Sequence, residues 1–239
     1  MFLSDVLPTA WQAVKYAGVP EARSVVVVGL GPIGDMSCRV AVEMGAEKVI
    51  GIDLVPDRLK RAGSRGIEIL DLSKFATQEE VVEAVRALTS GRGPDAVIDA
   101  VGMEAHGSPV AKLAHRMTAL LPDAMNERLM LKAGVDRLAA LQLAIELVRR
   151  GGTISIIGVY GGMTDPLPMM TLFDKQIQLR MGQANVKRWV DDIMPLLSDT
   201  DPLGVDGFAT HHLPLHEASA AYEMFQKKQD GAVKVLFNP

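Results

Sequence analysis

The chain has 239 residues, 48% of them hydrophobic, and a formal net charge of −4, so it can bury the core of one large domain or of one domain with a smaller lobe. Its lysines and arginines are scattered, which argues against nucleic acid as a partner. A single cysteine, Cys38, rules out a disulfide framework and favours a reducing cytoplasm. Because no apolar run reaches the length of about 18 residues that a membrane span needs, and no signal-peptide pattern is present, we expect neither membrane insertion nor secretion.

Strand and helix patterns alternate along most of the chain, which predicts an α/β fold with a parallel sheet. Strands are expected at 24–29, 48–53, 67–71, 95–101, 153–159 and 176–181. Helices are expected at 6–17, 33–44, 56–64, 78–89 and 137–150, from the spacing of their apolar residues. These strands would form a doubly wound Rossmann sheet in the order 3-2-1-4-5-6.

Two stretches depart from this alternation. Residues 103–136 are longer than a crossover needs and are predicted to be an insertion with partial helix; His106 and His115 lie there without a cluster of ligands, so we expect solvated or capping histidines. From residue 185 the regular alternation of strands and helices stops. The predicted elements there are a helix at 189–197, a short segment near Leu213, a helix at 215–228 and a final strand at 233–237. This tail is not expected to extend the main sheet.

A glycine-rich turn follows the first predicted strand. Four valines lead directly into G-x-G-x-x-G, with glycines at 29, 31 and 34. Gly29 would allow the tight turn, Gly31 the approach of a pyrophosphate, and Gly34 the close packing of helix on strand. Pro32 and Ile33 begin the helix, whose unpaired N–H groups attract phosphate. The pattern predicts dinucleotide binding.

An acidic residue ends the second predicted strand, where the dinucleotide fingerprint places a carboxylate for the ribose hydroxyls. This residue is Asp53. Its charge would repel a 2′-phosphate and therefore favours NAD over NADP, although Arg58 and Arg61 lie close enough in sequence to weaken that preference. The alternative is that Asp53 simply forms the turn that ends the strand.

Several ordered motifs together are more specific than the glycine turn alone. They are Leu-Ser-Asp-Val-Leu-Pro-Thr-Ala-Trp at 3–11, Gly-Leu-Gly-Pro-Ile-Gly at 29–34, Asp-Ala-Val-Gly at 99–102, Gly-Gly-Thr-Ile-Ser-Ile-Ile-Gly-Val-Tyr at 151–160 and Asp-Gly-Ala-Val-Lys-Val-Leu-Phe at 230–237. In these motifs, and in the pairing of Asp53 with Arg58, the chain resembles the zinc-type medium-chain alcohol dehydrogenases. Within them it is most similar to the glutathione-independent formaldehyde dehydrogenase and threonine dehydrogenase branches.

The resemblance implies roles for residues outside the glycine turn. Thr9 would lie against the nicotinamide, Gly158 and Val159 under its ring, Val101 and Gly102 on the adenosine side, Arg58 beside Asp53, and Lys234 at the pyrophosphate. Cation and N–H donors suit phosphate, and a flat apolar floor suits the ring. The implied assembly is a homodimer or tetramer, formed through the sixth strand at 176–181.

The resemblance also implies a catalytic zinc, for which Asp5 stands where some family members place the third protein ligand. Alternatively, Asp5 is the N-cap of helix 6–17. Family members begin with a separate catalytic lobe that brings Cys and His ligands, and we do not find it in this sequence. Residues 1–22 are then expected to be a linking helix from that lobe, 23–184 the NAD-binding domain, and 185–239 a segment that returns to the lobe.

We therefore expect the NAD-binding portion of a zinc-dependent dehydrogenase. Hydride transfer to or from a small alcohol or aldehyde is expected in the complete enzyme only, with zinc held only if the lobe is supplied. The alternative is a non-catalytic nicotinamide-nucleotide-binding or interaction module. A short-chain dehydrogenase is poorly supported, because no tyrosine has a lysine four residues later, and a methyltransferase would not explain the Gly-Val-Tyr turn at 158–160. His211 and His212 are expected to be solvated or hydrogen-bonded rather than ligands.

Overall fold

The computed structural model describes residues 2–101, 138–160 and 167–239. Its central strands are β1 Ser24–Val28, β2 Lys48–Asp53, β3 Glu68–Asp71, β4 Ala96–Asp99, β5 Thr153–Ile156 and β6 Gln178–Met181. They form one six-stranded sheet in the order β3-β2-β1-β4-β5-β6, and all its pairings are parallel. The predicted doubly wound order is confirmed. Because the chain reverses direction across the sheet between β1 and β4, the carboxyl ends of these two strands border the crevice where such sheets bind ligands.

Helices cover both faces of the sheet. They are α1 Val6–Ala17, α2 Pro32–Glu43, α3 Pro56–Gly63, α4 Gln78–Leu88, α5 Ala139–Leu147 and α6 Met169–Lys175. The valines of β1 alternate between the two faces: Val25 and Val27 pack with α1 and α2, whereas Val26 and Val28 pack with α4 and α5. A strand buried on both sides explains why its sequence is an unbroken apolar run.

The C-terminal segment adds α7 Val186–Ile193, β7 His211–Pro214, α8 Ala218–Gln226 and β8 Val235–Asn238. Strands β7 and β8 pair in parallel as a separate two-stranded sheet, so the tail does not extend the main sheet, as expected. Trp189, Ile193, Leu203, Phe208 and Val233 are buried in the same core as α1 and α2. The segment therefore packs on the α1 side of the sheet.

A buried glutamine joins α1 to the chain after β6. The Gln12 side chain donates to the carbonyls of Gly182 and Gln183, both at 3.0 Å. Its Oε1 accepts from the backbone N–H of Asn185 at 3.1 Å and from the indole N–H of Trp189 at 3.0 Å. Both amide hydrogens and both acceptor positions are thus used, which explains how this polar group tolerates full burial.

A buried ionic cluster fastens the loop before β7 to α2 and α3. Asp35 accepts from Arg39 at 2.7 Å and from Arg61 at 3.0 Å. Arg39 also donates to the carbonyls of Leu203 and Gly204, and Arg61 to that of Phe208. Both guanidinium groups lie over the Phe208 ring, about 5 Å from its centre. Burial lowers the pKa of Arg39 to about 10, so this side chain stays charged at neutral pH.

Some predicted strand ends are wrong. Strand β1 ends at Val28 rather than at residue 29, β4 covers 96–99 rather than 95–101, and β5 covers 153–156 rather than 153–159. The chain leaves β5 because the N–H groups of Ile157 and Gly158 both bond to the Asp99 carbonyl. Strand β6 begins at Gln178 rather than Gln176, since Gln176 has φ +55° and ends α6 in the left-handed conformation.

The remaining differences concern helices. The sequence did not predict α6, a seven-residue helix with one buried residue, Leu172. Helix α7 begins at Val186 rather than at 189, and the Asn185 side chain caps this earlier start. A 3₁₀ turn, Met194–Leu196, follows the helix. The helix predicted at 215–228 is a 3₁₀ turn, Leu215–Glu217, followed by α8, and the last strand begins at 235 rather than 233.

Some predictions fall outside the described residues, namely Gly102, the insertion at 103–136 with His106 and His115, and the start of the helix predicted at 137–150. The described part of that helix is Ala139–Leu147, and the three-part division of the chain stays a prediction. Across the described ranges, no helix combines the length and apolar character needed to cross a membrane.

Candidate functional site

The glycine turn has a steric reason for its first and third glycines. Gly29 has φ +86°, and an added Cβ would lie 2.5 Å from the Val101 side chain. A Cβ on Gly34 would lie 1.7 Å from the Gly29 carbonyl oxygen. No side chain larger than hydrogen fits there without moving backbone, so the start of α2 is held directly against the end of β1.

The second glycine lies at the N-terminus of α2, beside an arginine. Gly31 is the N-cap residue, Pro32 and Ile33 begin the helix, and no side chain caps it. A Cβ on Gly31 would have the Arg58 guanidinium at 3.6 Å as its nearest neighbour. The positive end of a twelve-residue helix and an arginine therefore flank one partly buried stretch of backbone, an arrangement that suits an anion.

The Asp53 carboxylate accepts hydrogen bonds from backbone that follows β1 and from backbone that follows β2. Its Oδ2 accepts the N–H of Leu30 at 2.6 Å, within the glycine turn. Its Oδ1 accepts the N–H groups of Leu54 at 2.6 Å and Val55 at 2.9 Å. Asp53 thus forms the turn that ends β2 and also ties that turn to the glycine loop. A carboxylate has about four acceptor positions, and these three contacts leave room on Oδ2 for a hydroxyl.

The two arginines near Asp53 behave differently. The Arg58 guanidinium lies 3.9 Å from Asp53 Oδ2, and its side chain is 14% exposed. Arg61 instead donates to Asp35 and to the Phe208 carbonyl, within the buried cluster. Sequence distance alone placed both beside the ribose position, whereas the structure commits Arg61 to the C-terminal segment.

A tyrosine and an aspartate join the ends of β4 and β5. The Tyr160 hydroxyl donates to Oδ2 of the buried Asp99 at 2.5 Å, and Asp99 Oδ1 accepts the Val101 N–H at 3.0 Å. Burial and the nearby Asp99 carboxylate raise the pKa of Tyr160 far above its usual value, so the phenol stays protonated. The link holds Val101 and the Gly158–Val159 backbone as two adjoining walls at the carboxyl edge of the sheet.

The apolar floor predicted for a nicotinamide ring is accessible. Val159 is 73% exposed. The residue before it, Gly158, donates its backbone N–H to the Asp99 carbonyl at 2.8 Å. An exposed valine three residues after the end of β5 leaves an apolar side chain accessible at the carboxyl edge of the sheet.

The N-terminal end of α1 carries Asp5 and Thr9. Asp5 occupies the N-cap position but makes no cap hydrogen bond with its side chain. Its Oδ1 instead accepts the Thr9 hydroxyl at 3.0 Å, in an exposed setting. The capping alternative is therefore correct about the position and wrong about the bond. Within the described residues, no group of three or more His, Cys, Asp or Glu side chains could hold a metal ion.

Lys234 lies in the turn before β8 and is partly buried. That turn contacts the start of α3, because a Cβ on Gly231 would come within 3.9 Å of the Asp57 side chain. Helix α3 starts just after Asp53, so the C-terminal segment approaches the side of the crevice on which Asp53 lies. His211, predicted to be hydrogen-bonded, contacts Thr210 and Asp230 through its two ring nitrogens.

Sequence reasoning missed three features of this site: the Leu30 amide that Asp53 accepts, the link between Asp99 and Tyr160, and the contacts of Thr210 with the backbone of Lys234. The Asp-Ala-Val-Gly and Gly-Val-Tyr motifs at 99–102 and 158–160 carried a signal for the second, since both follow neighbouring strands. A pairing of Asp99 with Tyr160 could have been inferred from them.

Comparisons with known proteins agree with this geometry. Residues 32–117 match the family model described as zinc-binding dehydrogenase. A zinc-type alcohol dehydrogenase-like protein of Bacillus subtilis is 32% identical over 99% of this chain and 58% of its own length. Formaldehyde dismutase of Pseudomonas putida is 28% identical over 94% of this chain and 54% of its own.

Among solved structures, an alcohol dehydrogenase from Thermus sp. ATN1 superposes with a TM-score of 0.77 at 32% identity, covering 100% of this chain and 57% of that one. The chain thus spans about half the length of the curated relatives it matches. Its sheet order, glycine turn and matched residues agree with the sequence resemblance: the chain carries a match to the zinc-binding dehydrogenase domain, and its relatives include zinc-type alcohol dehydrogenases.

Proposed function

We propose that this chain binds NAD across the carboxyl ends of β1, β4 and β5, as the cofactor-binding portion of a zinc-dependent alcohol or aldehyde dehydrogenase. The observation that carries the proposal is the bond from the Leu30 amide to Asp53, beside the uncapped N-terminus of α2. This places a carboxylate for ribose hydroxyls and a helix N-terminus for phosphate on one crevice, at the point where the strand order reverses.

The remaining predicted residues would contact the cofactor along this crevice in the order adenosine, pyrophosphate and nicotinamide. The adenosine would lie between Asp53, with Arg58 beside it, and the wall at Val101. The pyrophosphate would lie on Gly31 and the start of α2 and meet Lys234. The nicotinamide would lie on the Gly158–Val159 backbone and near Thr9. What supports this path is the exposed Val159 floor and the link that holds the two walls together.

We propose NAD rather than NADP. A 2′-phosphate would meet the negative charge of Asp53 on a carboxylate already fixed by three backbone N–H groups, so it cannot swing away without losing them. Arg61 is occupied by Asp35 and the Phe208 carbonyl. Arg58 then remains as the cation next to the ribose position, and its distance of 3.9 Å from Asp53 favours its partnership with that carboxylate.

The catalytic zinc that the family implies does not fit the described residues by themselves. Asp5 supplies one exposed carboxylate, whereas a catalytic zinc needs three protein ligands and an open position. We therefore propose that the other ligands come from a separate catalytic lobe that the 239 residues do not supply, and that the chain alone binds the cofactor without oxidising alcohols. A cytoplasmic location, which the single buried Cys38 favours, stays part of the proposal.

We also propose a homodimer or tetramer through β6. This strand lies at the edge of the sheet, with its other side unpaired among the described strands. Phe173 and Met170 of α6 are 81% and 77% exposed, and Met181 at the end of β6 is 58% exposed. A second copy pairing with β6 would cover both the backbone edge and these apolar side chains. Light scattering tests this, and a monodisperse monomer contradicts it.

The central experiment is a titration of the purified 239-residue chain with NADH, followed by cofactor fluorescence, with NADPH as the matched competitor. We expect saturable NADH binding and at least about tenfold weaker NADPH binding. Equal binding of both cofactors contradicts the preference for NAD, and binding of neither contradicts the proposed function. Reduction of NAD with ethanol or formaldehyde after treatment with a metal chelator contradicts the proposed inactivity of the chain alone.

A further inference from the structure

The Thr210 hydroxyl gathers the backbone on both sides of Lys234. It donates to the Lys234 carbonyl at 3.0 Å and accepts the N–H groups of Val233 at 3.0 Å and Lys234 at 3.3 Å. The backbone N–H groups of Thr210 and His211 also donate to the Lys234 carbonyl, at 2.8 and 3.2 Å. Both backbone polar groups of Lys234 are thus held by Thr210 and His211, where the chain enters β7.

His211 restrains the Thr210 hydroxyl from the other side. Its Nδ1 lies 2.9 Å from Thr210 Oγ1, and its Nε2 lies 3.1 Å from the Asp230 carboxylate. His211 thus bridges Thr210 and Asp230 through its two ring nitrogens.

These contacts close a turn that is otherwise unfavourable. Asp230 and Gly231 follow one another in the left-handed region, with φ of +52° and +61°, which is costly for Asp230. His211 holds Asp230 at the start of the turn, and Thr210 holds Lys234 at its end. The same turn lies against Asp57 at the start of α3, beside the crevice.

Lys234 itself makes no ion pair or side-chain hydrogen bond among the contacts of the described residues. A partly buried lysine on a fixed backbone, with its ammonium uncommitted, is well suited to an anionic ligand, since little freedom remains to be lost on binding. The Thr210 hydroxyl makes three hydrogen bonds to backbone groups, and the pairing of β7 with β8 does not by itself require them.

We infer that Thr210, restrained by His211, is a positioning residue that holds the Lys234 backbone so that its ammonium meets the pyrophosphate of the dinucleotide. This inference rests on the proposed function. Removal of the Thr210 hydroxyl should weaken ligands that carry the pyrophosphate and spare a ligand that lacks it, because Asp53 and Arg58 lie on other elements.

The test compares Thr210→Val, which keeps the shape of the side chain, with Thr210→Ser, which keeps the hydroxyl. We expect Thr210→Val to weaken binding of NADH and ADP-ribose about tenfold and that of adenosine less than about twofold, with Thr210→Ser near wild type. In a Lys234→Met background, Thr210→Val should cause no further loss for NADH. Equal losses of affinity for adenosine and NADH in Thr210→Val would show a merely structural role and overturn the inference. So would a loss of NADH affinity in the Lys234→Met background that is as large as in the wild-type background.

A second variant covers the case in which Thr210→Val does not fold. His211→Phe keeps a ring in place but removes both nitrogen contacts, and we expect a loss of about threefold for NADH with none for adenosine. If Thr210→Val shows no cooperative unfolding transition and is therefore not folded, unchanged NADH affinity in His211→Phe overturns the inference. Failure of the wild-type chain to bind NADH would instead reject the proposed function, so the two failures are distinguishable.

Discussion

The glycine turn and the N-terminal end of α1 are both predicted to meet the cofactor, yet they are built differently. At the turn, Asp53 is buried and bonds three backbone amides, and Gly34 touches the Gly29 carbonyl across the loop. At the end of α1, Asp5 is exposed and accepts one hydroxyl from Thr9, a single helical turn away. A dinucleotide site can be made within one β-α-β unit, because backbone amides and one carboxylate supply its chemistry. The catalytic zinc that the family implies needs three protein ligands, and within the described residues no such group lies at Asp5.

The largest effect that tests this comparison is expected from Gly34→Ala. Its Cβ would lie 1.7 Å from a backbone oxygen, so β1 and α2 must separate. We expect a loss of about 3 kcal/mol or more in the free energy of unfolding and no measurable NADH binding, from urea denaturation and fluorescence titration. Gly207→Ala is the control, since nothing lies within 4 Å of its added Cβ, and its effect should stay below about 0.5 kcal/mol. Similar stabilities of the two variants would contradict the close packing.

Asp53→Asn should produce the next largest effect. The amide keeps the side chain's size but loses the charge that strengthens the bond from Leu30 and that we propose attracts ribose hydroxyls. We expect NADH affinity to fall about tenfold and the preference for NADH over NADPH to shrink, measured by the same titration. Asp57→Asn, at an exposed position four residues later, is the matched control and should change affinity less than about twofold. A variant that retains both affinity and preference would show that Asp53 only forms the turn.

Asp95 provides a contrast at the opposite end of the sheet. It accepts from the Ser24 N–H and hydroxyl and from Arg149. Burial raises the pKa of Asp95, but these hydrogen bonds outweigh it and hold the pKa below its ordinary value. A lowered pKa in the folded state means that the stabilisation is present above the ordinary pKa and is lost as the pH falls through the folded value.

Asp95→Asn should therefore lower the free energy of unfolding by about 1 to 2 kcal/mol at pH 7 and leave NADH affinity unchanged. The difference from wild type should narrow below about pH 4, where the wild-type carboxyl begins to protonate. Asp174→Asn, which breaks the exposed ion pair with Arg150, is the control and should leave the free energy of unfolding close to that of the wild type. A stability difference that persists unchanged at pH 2 would contradict the role of the carboxylate charge.

The smallest effect is expected at Asp5. Because its side chain is exposed and caps no backbone N–H, Asp5→Ala should change the free energy of unfolding by less than about 0.5 kcal/mol and NADH affinity by less than about twofold. Thr9→Val, which removes the other partner of the same bond, should match it in stability. A tenfold loss of NADH affinity in Asp5→Ala would remove the distinction between the two regions.

The parts of the fold that could be predicted are those with local causes. The valine run of β1 could be predicted because the strand is buried on both faces, and the apolar spacing of α1 and α2 because each helix packs one face on the sheet. Gly34 could be predicted because its close contact with Gly29 lies within the same motif. Helix α6 was missed, because a short helix with one buried residue has almost no periodicity to detect. The ends of β4 and β5 were placed too late, because apolar character continues after the sheet pairing stops.

By itself the sequence determined the order of the strands, the glycine turn with its acidic partner, and the resemblance to zinc-type alcohol dehydrogenases, since these depend on apolar periodicity and on short motifs whose chemistry is local. Only the tertiary structure decided which polar groups meet across long separations. It committed Arg61 to Asp35 rather than to the ribose position, joined Asp99 to Tyr160, and tied Thr210 to Lys234. The physical reason is that a hydrogen bond depends on ångström distances between folded elements, which no pattern along one chain encodes.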